Sequence, residues 1–199
     1  MRLHLVRHLC FVAPALLALA CRSAGPQTDW TAIGDELEQR VAEEEAVREL
    51  LIGEGGFDPD DVAALERIDA SNTAWMKELV ALHGWPTIQR VGADRSFQAW
   101  ALVQNADRDV DFQEHCVELL RGAVARGEAD PRTLAYLEDR VAMHRGRPQR
   151  YGTQYRQKSD GSLVPYTLED EERVDELRAS VGLGTLEEYE RDMLGEDAE

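Results

Sequence analysis

Twice in this chain an Asp-Pro pair stands directly ahead of apolar residues spaced three and four apart, and each time a glycine closes the run. Asp58-Pro59 precedes Val62, Leu65, Ile68, Trp75, Leu79, Val80 and Leu82, with Gly84 and Pro86 behind them. Asp130-Pro131 precedes Leu134, Leu137, Val141 and Met143, with Gly146 behind them. An aspartate before a helix accepts hydrogen bonds from first-turn N–H groups that have no partner within the helix. A proline at the first helical position loses nothing by lacking an N–H, and a glycine takes the left-handed backbone that ends a helix. Strands have no use for this punctuation, so the pattern commits the chain to helices of several turns.

The same periodicity extends on both sides. Trp30, Ile33, Leu37, Val41, Val47, Leu50 and Leu51 predict an amphipathic helix ending near Gly53, with Glu43-Glu44-Glu45 on its solvent face. Residues 85–92 read as a loop, after which Asp94 caps a helix through Phe97, Trp100, Leu102 and Val103 to about Asn105. A break over 106–110 leads into a helix with Phe112, Cys116, Leu119, Leu120 and Val124 that stops at Gly127. From 150 to 167 the pattern changes to spaced tyrosines around Ser159-Asp160-Gly161, which predicts a β-hairpin. Two short helices, around 169–181 and 185–194, close the chain before an acidic frayed end at 195–199. With 43% hydrophobic residues a core can form. The expected fold is mainly α, an antiparallel helical bundle or helical-hairpin array with one small β-hairpin, in a single domain over residues 28–194.

The N-terminus is a different kind of segment. Arg2 and Arg7 precede the 12-residue apolar run Leu9 to Ala20, too short to span a bilayer and suited to a signal-peptide core. Leu17-Ala18-Leu19-Ala20-Cys21 resembles the lipobox of bacterial lipoproteins. That resemblance implies cleavage after residue 20, lipidation of Cys21, a short linker to residue 27, and anchoring to the cell membrane or outer membrane through two or three acyl chains. Ordinary secretion with cleavage nearby is the alternative, and either places the domain outside the cytoplasm. Loss of residues 1–20 moves the net charge from −17 to −19, because two arginines and no acidic residue leave with it. Such a balance excludes nucleic acid as a partner, since phosphate neutralisation needs concentrated positive charge. Only Cys116 then remains in the folded part as a free thiol, so no intrachain disulfide can form.

Motifs for familiar chemistry are missing. There is no His-Glu-x-x-His, Cys-x-x-Cys, phosphate-binding glycine loop or Gly-x-Ser-x-Gly elbow, and neither a metal nor a cofactor is expected. Cys116 shares an apolar face with Phe112, Leu119 and Leu120 and reads as a buried, inert thiol. His115 and His144 have no suitable neighbours in sequence. Asp107, Asp109, Asp111 and Glu118 imitate calcium-loop spacing, but Phe112 occupies the turn position that wants glycine, and helix capping by Asp109 or Asp111 is the better assignment.

What remains is a set of polar and aromatic residues at element ends. His83 stands at a helix C-terminus beside Trp85, Gln104 and Asp107 flank a helix break, Asp139-Arg140 lies late in a helix, and Tyr151 with Gln154 enters the hairpin. His83 suits general acid–base work with Asp107 orienting it, and Arg140 suits an anionic group, with Trp85, Gln104, Tyr151 and Gln154 as further ligand contacts. The same residues equally satisfy helix ends and pin helices together.

Several motifs, taken jointly, resemble an uncharacterised bacterial domain family of unknown function over about residues 60–190. They are His83-Gly84-Trp85-Pro86, Val103-Gln104-Asn105-Ala106-Asp107, Leu134-Ala135-Tyr136-Leu137 with Asp139-Arg140-Val141, and Gly146-x-Pro148-Gln149-x-Tyr151-Gly152-Thr153-Gln154. The resemblance carries no activity or catalytic residue with it. The family pattern commonly reads Gln-His-Ala-Asp where this chain has Asn105, so any role of that histidine is lost here. The leading expectation is a cell-envelope lipoprotein that binds a small molecule or an envelope protein. The first alternative is a metal-independent extracytoplasmic hydrolase or transferase using His83 and Asp107, and the second a purely structural envelope protein.

Overall fold

The structure is a computed structural model that describes residues 28–52 and 58–195. The signal segment, Cys21 and its linker, the stop at Gly53 and the tail beyond Gly195 lie outside the described residues. Among the described residues there are eight helices and one two-stranded antiparallel sheet.

The helices begin and end where their caps dictate. The Asp29 carboxylate accepts hydrogen bonds from the N–H groups of Thr31 and Ala32 at the start of α1 (Trp30–Ile52). Asp58 accepts from Asp60 N–H to open α2 (Pro59–His83), and Gly84 ends it at φ 73°. The same device opens α6 (Pro131–His144), where Asp130 accepts from Arg132 N–H. Asp109 caps α5 (Val110–Ala125) through Phe112 N–H.

Three expectations are corrected. Residues 85–92 contain one helical turn, α3 (Ile88–Val91), which the pattern read as loop. The following helix, α4 (Ala93–Gln104), starts at Gly92, so Asp94 sits inside its first turn instead of capping it. Glu44 does not belong to the solvent face of α1 and is only 4% exposed. At 100° per residue the middle of three consecutive residues can point inward while its neighbours point out, and position 44 falls seven residues after the buried Leu37.

The core forms where α1, α2, α4, α5 and α6 meet, around Leu37, Met76, Leu102, Leu120 and Leu137, all 1% exposed or less. Each such side chain contributes about 1.5–3 kcal/mol on burial. The sequence neighbours α1 and α2 pack together, as do α5 and α6, and α4 packs against α1, α2 and α6.

After α6 the chain wraps back over it. The Asp139 carboxylate, fully buried, accepts hydrogen bonds from the N–H groups of Arg150, Tyr151 and Thr153 and from the Thr153 hydroxyl. Gln149, also fully buried, donates to the carbonyls of Gln154 and Tyr166 and accepts from Gln154 N–H. Asp139 thus holds residues 150–153 to α6, and Gln149 closes the segment on itself before the hairpin of β1 (Tyr155–Gln157) and β2 (Leu163–Pro165), which are in register as Tyr155↔Pro165 and Gln157↔Leu163. Then come α7 (Val174–Ser180) and α8 (Leu186–Leu194), the latter opened by a capping box between Thr185 and Glu188. From the buried face of α7, Arg178 donates to the carbonyls of Tyr151 and Gly184 and so ties the last helices to this wrap.

Candidate functional site

The helix break at 105–109 is where polar side chains converge. It crosses between α4 and α5 and faces α2 on one side and α6 on the other. Asp107 accepts two hydrogen bonds from Arg140 of α6, Nε at 2.9 Å and Nη2 at 2.5 Å, a bidentate pair. The remaining Nη1 donates to Gln154 Oε1 at 3.1 Å, which links the pair to the wrap held by Asp139. His144 Nε2 lies 3.0 Å from Asp107 Oδ1, and Gln113 Nε2 donates to the same oxygen at 3.3 Å. Burial raises the Asp107 carboxyl, but the Arg140 hydrogen bonds and charge, with His144, outweigh it and hold the group below the ordinary carboxylate value.

A cleft of about 420 Å³ opens beside this pair. One wall is α2, whose Ala70 and Ala74 leave room, and another is the break itself, with Asn105, Ala106, Asp107, Arg108 and Asp109. Arg48 of α1 and Arg140 of α6 complete the lining. Beneath it Glu44 accepts from Arg48 Nε at 2.8 Å, Asn105 Nδ2 at 2.5 Å and Asn72 Nδ2 at 3.3 Å, so a buried charge is answered by three donors. Lys77 donates to Asp109 at 2.5 Å, and Arg108 pairs with Glu66. The Lys77 hydrogen bond is the main cause holding Asp109 below its ordinary value.

Asp69 is the exception. Its Oδ1 is buried and has no hydrogen-bond partner among the described residues, with Arg48 Nη2 standing 3.7 Å away. Burial, with the charges of Glu44 and Asp107, pushes this carboxyl up to about 6 against the pull of Arg48 and Arg108. One cleft therefore holds two carboxyls whose environments move them in opposite directions.

Of the residues singled out in the sequence, Asp107, Arg140 and Gln154 meet directly. Gln104 contributes its carbonyl to Gln113, and its own buried Oε1 has no partner. Tyr151 is buried, its N–H on Asp139 and its carbonyl on Arg178. His83 and Trp85 do not join them. His83 lies six residues beyond Lys77, about 9 Å farther along α2. There its Nδ1 is 3.1 Å from Thr28 Oγ1 and its ring stands edge-on to Trp30. Trp85 is 4% exposed and belongs to the core. The calcium-like carboxylates are separated too, because Asp111 pairs with Arg145 and Glu118 with Arg121. Among the described residues no group of three or more His, Cys, Asp or Glu side chains is arranged to hold a metal. Cys116 is buried among apolar side chains, and desolvation pushes its thiol up to about 12.

Sequence reasoning missed Asp69, Glu44, Arg48 and His144. The signal for His144 was its position four residues after Arg140, which puts both on one helix face. Asp69 offered no local signal, since on α2 it looks like any solvated aspartate.

The fold and the cleft define a small helical domain with a charged, alanine-floored pocket between α2 and a helix break. The chain belongs to a family of unknown function (DUF6624), whose model matches residues 32–199 and so takes in α1 as well as the motifs noted above. No curated protein and no solved structure matches it.

Proposed function

We propose that this protein is a cell-envelope lipoprotein, held outside the cytoplasm by lipid on Cys21, whose helical domain binds a small polar ligand in the cleft beside Asp107 and Arg140. The observation that carries the binding function is the cleft itself. Its volume suits a small molecule, and its walls come from four separate parts of the chain, joined by the Asp107–Arg140 pair and by the donors that converge on Glu44. The apolar run and the lipobox-like Leu17 to Cys21 support the anchor. His83 stands apart from Asp107, so an acid–base pair of those two draws no support from the geometry.

Binding is tested with Ala74→Trp, which places an indole in the cleft from an exposed helical position. A screen of small polar compounds by thermal shift is expected to stabilise the wild type by about 2.7 kcal/mol at a hundredfold excess over Kd and to leave Ala74→Trp unmoved. Equal shifts in both proteins would remove the cleft from the account. The anchor is tested with Cys21→Ser, which should move the protein from the membrane fraction to the soluble one, and retention of the variant on the membrane would rule the lipid out.

A further inference from the structure

Asp69 differs from the other carboxylates around the cleft. Asp107 has two donors from Arg140, Asp109 has Lys77 and a backbone N–H, Glu66 has Arg108, and Glu44 has three donors. Among the described residues Asp69 Oδ1 has no hydrogen-bond donor, and Arg48, whose Nη2 stands 3.7 Å away, has turned its Nε to Glu44. A buried acceptor without a donor costs free energy, and although Oδ1 itself is closed to solvent, a quarter of the Asp69 side chain is exposed and lines the cleft, so a cation bound there meets the same carboxylate charge.

The surroundings narrow the donor. Glu44 from α1 and Asp107 from the helix break both place negative charge toward Asp69, opposed by Arg48 and Arg108. Arg140 and His144 of α6 engage Asp107 and not Asp69. A hydroxyl would bring a donor and no charge to a carboxylate that Arg48 at 3.7 Å answers only in part, whereas an ammonium supplies three N–H donors and the charge together. On the rest of the rim, Lys77 and Arg108 are paired with Asp109 and Glu66, and Arg108 is 73% exposed. Exposed pairs of this kind open at little cost, which leaves both cations able to meet a carbonyl or carboxylate a few bonds from the ammonium.

We infer that the cleft recognises a primary ammonium with a carbonyl close behind it, the chemistry of a peptide amino terminus, through the carboxylate of Asp69. This rests on the cleft being a ligand site. Recognition requires Asp69 ionised, so affinity follows its titration and falls toward acid pH.

The test is calorimetric titration of the full chain in detergent with L-alanyl-L-alanyl-L-alanine and with its N-acetylated form. The free tripeptide is expected to bind at least tenfold more tightly than the acetylated one at pH 7.5. Its affinity should fall about tenfold at pH 5, where about one Asp69 in ten remains ionised. Asp69→Asn should remove both the preference and the pH slope, while His144→Gln should keep the slope, separating the carboxyl from the imidazole. Equal binding of the two peptides, unchanged binding by Asp69→Asn, or no binding of the free tripeptide would each overturn ammonium recognition. The cleft as a ligand site survives those results if other polar compounds still stabilise the wild type and not Ala74→Trp, and falls with them if none does.

Discussion

Replacing Asp69 by asparagine should make the protein more stable at neutral pH, the reverse of the usual effect of altering a partly buried polar residue. The fold moves this carboxyl from 3.8 to about 6. Two units at about 1.4 kcal/mol each set an upper limit of roughly 3 kcal/mol for holding Asp69 ionised in the native state. A quarter of the side chain is exposed, and solvent screening brings the expected gain to about 1–2 kcal/mol. The sign follows from linkage. The native protein keeps this proton up to about pH 6 while the unfolded chain releases it near 3.8, so the contribution of this one group to stability is fully present below 3.8 and is lost as pH rises through 6. Asparagine has the same shape and no charge to desolvate. Urea unfolding of both proteins at pH 7.5 and pH 4.0, followed by circular dichroism, should show the variant ahead by about 1–2 kcal/mol at the higher pH and by under about 0.5 kcal/mol at the lower. A variant no more stable at pH 7.5, or an advantage equal at both pH values, would refute the claim that a carboxylate only partly compensated by Arg48 sits in the cleft. A residue that costs stability where it stands is the pattern expected of a group retained for binding.

Three further outcomes follow from the wrap around α6 and from the core. Asp139→Asn should lose about 3 kcal/mol in urea unfolding, because either orientation of the amide turns an NH₂ toward a backbone N–H that the carboxylate now accepts; a loss under about 1 kcal/mol would show that residues 149–154 hold without it. Gly152 sits at φ 66° with a hypothetical Cβ 2.8 Å from Leu186 Cδ1. Gly152→Ala should therefore lower Tm by several degrees, a cost of roughly 1–3 kcal/mol, and an unchanged Tm would contradict the packing of α8 on the wrap. Native Cys116 should react with iodoacetamide only as fast as the protein unfolds, monitored by mass spectrometry, whereas prompt labelling at pH 7.5 would contradict a buried thiol pushed up to about 12.

The helices were legible because their signals are local. Asp58-Pro59, Asp130-Pro131 and the closing glycines act within a turn of themselves, and the structure starts and stops α2 and α6 there. The single turn of α3 carries no period to detect, and its start at Thr87 has no side-chain cap. Polar residues at element ends were legible as a group, and three of them, Asp107, Arg140 and Gln154, come together. The other half of the cleft was not legible because it depends on which helix faces which. Glu44 is buried only because α2 brings Asn72 to it and the break brings Asn105, and Asp69 lacks a donor only because of what packs around it. His83 misled for the same reason, since proximity to Trp85 in sequence says nothing of its distance from Asp107.

If the cleft between α2 and the helix break is where this protein meets its ligand, chemical-shift mapping of amide resonances during titration with tri-alanine will show it there. The predicted result is a set of saturable shifts centred on residues 69–77 and 105–109 that vanishes in Ala74→Trp. Saturable shifts centred elsewhere, unaffected by Ala74→Trp, would contradict it.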